Sequence, residues 1–380
     1  MIYADNAATT RISELAVQKL LPYLMEEYGN ASSQHKLGFK ARKAIACARK
    51  QVAKAIDCEP HEIIFTSGGS EGNTWVLHGK SRELCERERA HLITTSIEHH
   101  SVLNACKNTD VLDVTYLNPD SDGRVSVSNV ESALRPNTKL VTIMFANNEI
   151  GTIQPVQQIG EMLKSHNVMF HTDAVQAVGH IPISMKKLKV DFLTASAHKF
   201  NGPKGIGFIF IRDGIAMPNY IFGGEQEFGL RSGTENVAGI VALGYALEEC
   251  VQNLGEDTIT QQLLVKMTIE KLKKSIPNLI INAELANRLP GILNITFENA
   301  TGEAMMHLLS LKDICVSAGA ACNSNKGVPS HVLLAIGKTE SEAKNSIRIS
   351  YGRYNTVKEV DEITSAIKSA YFKITQAKST

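Results

Sequence analysis

The chain has 380 residues, which is enough for one large domain and one smaller domain, each with its own hydrophobic core. Hydrophobic residues make up 43% and charged residues 21%, as in an ordinary globular protein, and the net charge of +1 predicts no nucleic-acid or membrane partner. No apolar run approaches the roughly 20 residues that a membrane helix needs. The N-terminal sequence MIYADNAATT lacks the basic and apolar parts of a signal peptide, so we expect a cytoplasmic protein.

The cysteines are odd in number and widely spaced, and no two of them form a CxxC pair. This pattern argues against both a disulfide framework and a zinc site. Free cysteines are commonly buried and inert, so a reactive one must be identified by its surroundings. The seven are Cys47, Cys58, Cys85, Cys106, Cys250, Cys315 and Cys322.

Short apolar runs alternate with helical patterns through the N-terminal and central parts of the chain. This alternation favours an α/β fold with a mostly parallel sheet that helices cover on both faces. The strand candidates are residues 63–65, 92–94, 114–117, 140–146, 168–171, 192–195 and 206–211.

Two helices are predicted from their apolar stripes in this part of the chain. The first covers residues 36–56, and the second begins near Pro155, a residue that favours a helix start. Their stripes are formed by Phe39, Ala44, Ala48, Val52 and Ile56 in the first helix and by Ile159, Met162 and Leu163 in the second.

The pattern changes near residues 253–257, where a long amphipathic segment follows, then strand candidates at 292–297, 314–316 and 347–350. A last helix starts at Thr356 with Glu359 in capping-box position, and its apolar stripe contains Val360, Ile363, Ile367 and Tyr371. We therefore predict a large domain of residues 14–256 and a smaller α+β domain formed by residues 1–13 and 257–380.

Ligands of α/β sheets bind beyond the carboxyl ends of the strands, so the loops that follow strands are the first candidates for a functional site. Residues 66–73, TSGGSEGN, join a strand to a helical pattern. Small residues there let backbone N–H groups approach a phosphate, and Ser70 adds a hydroxyl. The alternative is a plain tight turn with a helix cap. The loop matches neither GxGxxG nor GxxxxGK[ST], which disfavours a nucleotide.

Asp173 follows the strand candidate 168–171. A carboxylate at this place could pair with a protonated pyridine nitrogen and keep that ring electron-poor. The alternative is an aspartate that caps the next helix, and this alternative is favoured if the loop stands alone.

Lys199 lies in the loop SAHKFNGPKG, residues 196–205, between two strand candidates. A lysine in such a loop can form an imine when desolvation or nearby cations lower its pKa. Ser196 and His198 are close enough in sequence to reach the same phosphate. The alternative is a solvated surface lysine.

Cys322 lies in a run of small and polar residues, VSAGAACNSNKG at 316–327, with no apolar neighbours to bury it. A loop of this composition can expose a reactive thiolate. The alternative is an inert buried thiol, and the composition alone leaves the two balanced.

Taken together and in this order, the motifs resemble the cysteine desulfurases of NifS/IscS type, in the class V branch of the fold-type-I enzymes that use pyridoxal 5′-phosphate (PLP). The resemblance runs over nearly the whole chain. The matching stretches are residues 3–10 (YADNAATT), 29–35 (GNASSQH), 98–100 (EHH), 147–151 (NNEIG), 173–176 (DAVQ), 196–199 (SAHK), 202–205 (GPKG), 231–234 (RSGT), the Cys322 loop and 348–353 (RISYGR).

The resemblance implies PLP as the cofactor, held as a Schiff base on Lys199. Asp173 would pair with the pyridine nitrogen, Gln176 would bind the ring oxygen, and His99 would stack on the ring. The phosphate would be bound by Gly69, Ser70, Ser196 and His198 and, from the neighbouring subunit of a homodimer, by Thr234.

The resemblance also implies the reaction. Asn148 and Arg348 would hold the carboxylate of L-cysteine, since an Arg fork suits a planar anion. Lys199 would remove the Cα proton, with His99 as a further proton-transfer residue. Cys322 would take the sulfur as a persulfide, alanine would leave, and an iron–sulfur scaffold, a tRNA-thiolation protein or a cofactor pathway would receive the sulfur.

The sequence departs from the family pattern at a few places. Ser70 replaces the usual Thr and keeps the hydroxyl, whereas Ala31 replaces a usual Pro and Gly69 a usual Ala, which changes loop stiffness more than chemistry. The sequence ends at Thr380 without the tail by which some members dock an iron–sulfur scaffold, so we do not expect that docking route. The long form of the Cys322 loop favours direct handover of sulfur over dependence on an activator protein.

Two other functions remain possible at this point. A selenocysteine lyase or another class V lyase would keep Lys199 and Asp173 without needing Cys322. A non-catalytic sulfur or metal carrier would use Cys322, Cys315 and scattered histidines, but the cysteine spacing gives it no support.

Overall fold

The strands of the protein follow the predicted apolar runs closely. The computed structural model describes residues 1–84, 89–318 and 328–377. The strands in these ranges are β1 (Ile2–Tyr3), β2 (Ile63–Thr66), β3 (Ala90–Thr95), β4 (Leu112–Leu117), β5 (Thr138–Thr142), β6 (Met169–Asp173), β7 (Phe192–Ser196), β8 (Gly207–Ile211), β9 (Ile280–Ile281), β10 (Ile292–Thr296), β11 (Ile314–Cys315), β12 (Ser317–Ala318) and β13 (Ser346–Ser350).

The helices cover both faces of the main sheet and one side of the smaller one. They are α1 (Glu14–Met25), α2 (Lys36–Ile56), α3 (Gly69–Thr74), α4 (Ser81–Leu84), α5 (His100–Lys107), α6 (Val127–Ser132), α7 (Val156–Ser165), α8 (Val237–Ser275), α9 (Gly302–Ser310), α10 (His331–Ala335), α11 (Glu340–Lys344) and α12 (Val357–Ala377). A π-helical stretch, Trp75–Lys80, joins α3 to α4, and short 3₁₀ turns lie at Pro60–Glu62, Ala197–Lys199 and Glu227–Gly229.

The main sheet has the strand order β2-β8-β7-β6-β5-β3-β4, with seven strands in the described part of the chain. Strand β8 runs antiparallel to both of its neighbours, and the remaining pairs are parallel. The predicted mostly parallel sheet is therefore confirmed. Because the strands of the parallel set point the same way, their carboxyl ends bring β6 and β7 to one edge of the sheet.

Some predicted details are wrong. The strand predicted over 140–146 ends at Thr142, although Ile143 and Phe145 still donate backbone hydrogen bonds to His171 and Asp173 of the neighbouring chain segment. Phe39 is 60% exposed, whereas the other predicted stripe residues of α2 are buried, because at 3.6 residues per turn Phe39 lies on the face opposite Ala48. The strand predicted over 314–316 ends at Cys315, and Val316 lies between β11 and β12.

Two large hydrophobic cores share the long helix α8. Its first half places Leu243 and Leu247 in the core below the main sheet, and its second half places Leu264 and Leu272 in the core of the smaller sheet. Ile2 also belongs to the second core and pairs with β11. The predicted division at residues 256 and 257 thus falls inside one continuous helix, which begins at Val237 rather than near residue 253. The division itself stays a prediction.

Candidate active site

A cavity of about 260 Å³ lies beyond the carboxyl ends of β6 and β7. It gathers side chains from the N-terminal segment, both sheets and the loops between them. The predicted site residues that line it are Gly69, Ser70, His99, Asn148, Asp173, Gln176, Ser196, His198, Lys199 and Arg348. Residues that are far apart in sequence therefore meet in one place, as the motif order predicts.

Lys199 reaches the cavity from the short 3₁₀ turn that follows β7. Its Nζ donates to the carbonyl oxygens of Ala7, at 2.6 Å, and Ala8, at 2.8 Å. His180 Nε2 donates to the Lys199 carbonyl at 2.8 Å and holds the backbone of the turn. The amine is thus directed into the cavity by the N-terminal segment, and Gln176 Nε2 also donates to Ala7 O, at 2.9 Å.

Asp173 ends β6 and is only 5% exposed. Asn73 Nδ2 donates to its Oδ2 at 2.7 Å, and the backbone N–H of Val175 donates to its Oδ1 at 3.0 Å. Both partners are neutral donors, so they hold the carboxylate in place without cancelling its charge.

His99 caps the N-terminus of α5. Its Nδ1 accepts a hydrogen bond from the backbone N–H of Ser101 at 3.1 Å and lies 2.8 Å from Ser101 Oγ. Burial and the nearby charge of Lys199 lower the pKa of the His99 imidazole, against the opposing influence of Asp173. The ring is therefore favoured in its neutral form.

The predicted phosphate end of the cavity is formed where β2 passes into α3. Gly68 has φ of 150°, in the region that favours glycine. A Cβ at Gly69 would come within 2.7 Å of Val175 Cγ2, so the small residue makes room for its neighbour. Burial, with help from Lys199, lowers the pKa of His198 to about 4, and its Nδ1 lies 3.2 Å from Thr9 Oγ1. His198 is thus neutral and available for hydrogen bonding.

Arg348 projects from β13 and is 1% exposed. Its Nη2 donates to Asp5 Oδ1 at 2.7 Å and to Ser317 Oγ at 3.2 Å, and its Nη1 donates to Asn148 O at 2.8 Å. Its Nε is buried and has no hydrogen-bond partner within residues 1–84, 89–318 and 328–377. The guanidinium is therefore fixed by protein groups through both Nη atoms, while its Nε is enclosed.

Not every predicted residue meets at the cavity. Thr234 lines a separate pocket with Ser67 and Arg231, and Cys322 lies outside the described residues. Asn73 and Asp5 also contribute to the site but were not predicted to, although both lie inside motifs quoted above. The signal that could have identified them is their position as polar residues within the motifs at 66–73 and 3–10.

Comparison with known proteins identifies the family. The model of the aminotransferase class-V family matches residues 2–363. The chain therefore belongs to this family of fold-type-I enzymes.

Individual relatives of the chain are named cysteine desulfurases. One named IscS, from Methanosarcina thermophila, is 44% identical over 96% of this chain and 91% of its own length. Another IscS, from Clostridium botulinum, is 41% identical over 96% of this chain and 93% of its own. The predicted assignment to cysteine desulfurases of NifS/IscS type is confirmed at this level.

Solved structures agree with the fold. A structure titled NifS-like protein has a TM-score of 0.91 and 38% identity, and covers 97% of this chain and 98% of its own. A structure titled SspA in complex with cysteine has a TM-score of 0.84 and 37% identity, and covers 94% of this chain and 100% of its own. Within the described ranges, no helix is long and apolar enough to cross a membrane.

Proposed function

We propose that this protein uses PLP to move sulfur from L-cysteine to Cys322 and releases L-alanine. The observation that carries the proposal is the meeting of Lys199, Asp173 and Arg348 in one cavity of a chain whose relatives are cysteine desulfurases. The cavity offers an amine that can hold the cofactor, a carboxylate that can face its pyridine nitrogen and a guanidinium that can bind the substrate carboxylate.

The residues present fit PLP. Lys199 would hold it covalently through Nζ, Asp173 would face the pyridine nitrogen, and Gln176 would bind the ring oxygen. His99 would stack on the ring, and the phosphate would be bound by Gly69, Ser70, Ser196 and His198. When bound, PLP supplies an electron sink for charge that develops at the substrate Cα.

The remaining roles belong to the protein side chains. Arg348 and Asn148, which both line the cavity, would bind the substrate carboxylate. Lys199 would take the proton from Cα, and His99 would assist proton transfer. The C–S bond of the substrate then breaks, an S–S bond to Cys322 forms, and Cβ takes up a proton, so that the substrate carbon is reduced and Cys322 is oxidised to a persulfide.

The test is the change Cys322→Ala. We expect the variant to keep the yellow cofactor and its absorbance near 420 nm but to release no sulfide from L-cysteine. Cys47→Ala, at an exposed thiol of α2, is the matched control and should retain activity. Normal turnover of L-cysteine by Cys322→Ala would contradict the proposed nucleophile.

We also propose a homodimer in which Thr234 binds the phosphate of the neighbouring subunit. The position of Thr234 outside the cavity of its own subunit supports this. Sedimentation should give twice the chain mass of 41.5 kDa, and Thr234→Ala should lose cofactor faster on dialysis. A monomer that retains full activity would contradict it.

The acceptor of the sulfur is proposed only as a class, either an iron–sulfur scaffold or a tRNA-thiolation protein. Supply of ³⁵S-cysteine and identification of the co-purified proteins that become labelled would distinguish them. Comparison of L-cysteine with selenocysteine, in the wild type and in Cys322→Ala, tests the selenocysteine lyase alternative. That alternative predicts turnover of selenocysteine that survives the loss of Cys322.

A further inference from the structure

A chain of polar side chains connects Asp173 to His99 along the wall of the cavity. Asn73 Nδ2 donates to Asp173 Oδ2 at 2.7 Å and to Ser101 Oγ at 2.9 Å. Ser101 Oγ in turn lies 2.8 Å from His99 Nδ1. All four residues line the cavity, and Asn73 is fully buried. The group proposed to face the pyridine nitrogen and the group proposed to stack on the ring are thus linked by two intermediate residues.

The direction of the hydrogen bonds at Asn73 is fixed by charge. An ionised carboxylate only accepts, so the amide nitrogen of Asn73, rather than its oxygen, must face Asp173. Asn73 Oδ1 is left buried without a hydrogen-bond partner in the described part of the chain. An unpaired buried oxygen is costly, which indicates that the two donated bonds outweigh it.

The direction at His99 is fixed by the backbone. The Ser101 N–H donates to Nδ1, and because an N–H cannot accept, Nδ1 carries no proton. Ser101 Oγ, which accepts from Asn73, then donates its own proton to Nδ1. The neutral His99 ring therefore has its proton on Nε2.

We propose that Asn73 and Ser101 are positioning residues that hold His99 as the Nε2–H tautomer and join it to Asp173. The chemical role that follows for His99 rests on the proposed function and specifies it further. In this tautomer Nε2 can donate a hydrogen bond to negative charge that develops in the cavity, but it has no lone pair with which to take a proton. A neutral histidine held by a helix N-terminus is an established way to present a donor.

The titration of His99 depends on all the charged and titratable groups that face it. Asp173 and Glu149 favour its protonation and Lys199 and His331 oppose it, and His99 and His198 also disfavour each other's protonation. The His100 ring lies 6.4 Å from the His99 ring, between centroids. None of these groups is changed in the variants below, so a shift can be assigned to the altered hydrogen bond.

The experiment is ¹⁵N NMR of the full chain labelled at histidine, with PLP supplied, over about pH 5.5 to 8.5. Loss of signals in His99→Asn assigns the resonances. We expect a wild-type His99 with protonated Nε2 and unprotonated Nδ1. Ser101→Ala should raise its titration midpoint by about one pH unit, the shift that one hydrogen bond to the neutral ring produces. Ser101→Thr should restore the wild-type midpoint, and Asn73→Leu should give a smaller shift in the same direction.

Ser132→Ala, at an exposed serine of α6, is the control and should leave His99 unchanged. A protonated Nδ1 in the wild type, or an unchanged midpoint in Ser101→Ala, would overturn the proposal. An unchanged midpoint in Asn73→Leu would remove Asn73 from it. If the protein fails to bind PLP, the proposed function fails, but the His99 spectrum of the same sample still decides the tautomer.

Discussion

The two charged walls of the cavity are built in different ways. Asp173, on the main sheet, is held by the neutral donors Asn73 and Val175. Arg348, on the smaller sheet, is already paired with the carboxylate of Asp5 at 2.7 Å. The first wall keeps its charge available for a bound cation, whereas the second must share its charge between Asp5 and any incoming carboxylate. Substitution of Asp173 should therefore affect mainly activity, whereas substitution of Arg348 should affect both activity and stability.

The largest effect on activity is expected from Asp173→Asn. Loss of the charge beside the proposed pyridine nitrogen should lower kcat/KM by at least about 10³-fold. The melting temperature should change little, because the side-chain volume is kept and Asn73 Nδ2 can still donate to the oxygen of the new amide. Asp113→Asn, at an exposed ion pair, is the control for both measurements. A full loss of folding in Asp173→Asn would contradict the contrast between the walls.

Arg348→Gln should affect both quantities. We expect kcat/KM to fall by about 10²-fold, mostly through KM, because the carboxylate loses its charged partner. The free energy of unfolding should fall by about 3 kcal/mol, since Asp5 is left largely buried without its cation. Asp5→Asn in the same chain should restore stability but not activity. Restoration of both, or of neither, would show that Asp5 is not the group that Arg348 balances.

Gly69 and Val175 lie close together in the cavity wall that also contains Asp173, and we expect them to be coupled sterically. An added Cβ at residue 69 would lie 2.7 Å from Val175 Cγ2. Gly69→Ala should therefore weaken PLP binding by about tenfold, a cost typical of modest overpacking. Val175→Ala should recover most of this loss in the double variant, measured by equilibrium dialysis. Additive losses in the double variant would indicate that the two residues do not interact.

The last expected effect concerns the pH dependence of stability at Glu98, which is buried next to His99. Burial raises the pKa of the Glu98 carboxyl to about 8, from 4.5 in the unfolded chain. The folded state therefore favours the protonated form, and the stability it contributes below pH 4.5 is lost as the pH rises through about 8. Between about pH 5 and 8.5, the melting temperature of Glu98→Gln should fall less than that of the wild type. Parallel curves for the two proteins would contradict the raised pKa.

Much of the fold was predictable because its signals are local. A buried parallel strand needs a short apolar run, so strands such as β2 and β7 were found within a residue or so. The exposed Phe39 was misassigned because it is apolar and close in sequence to the stripe, although the helical period places it on the face opposite Ala48.

The site was predictable to the extent that it lies in motifs. Lys199 and Asp173 follow strands, where ligand sites are expected. The pairing of Arg348 with Asp5 joins residues 343 positions apart and could not be read from spacing. The link from Asn73 to Ser101 likewise depends on the packing of α3 against α5, which no local pattern encodes.

The central claim is that the Lys199 amine holds PLP covalently. The direct measurement is to purify the protein with vitamin B6 supplied, reduce it with borohydride and locate the modified residue by peptide mass spectrometry. The account predicts a single reduced pyridoxyl adduct, on Lys199, and none in Lys199→Arg. An unmodified Lys199, or an adduct on a different lysine, would contradict it.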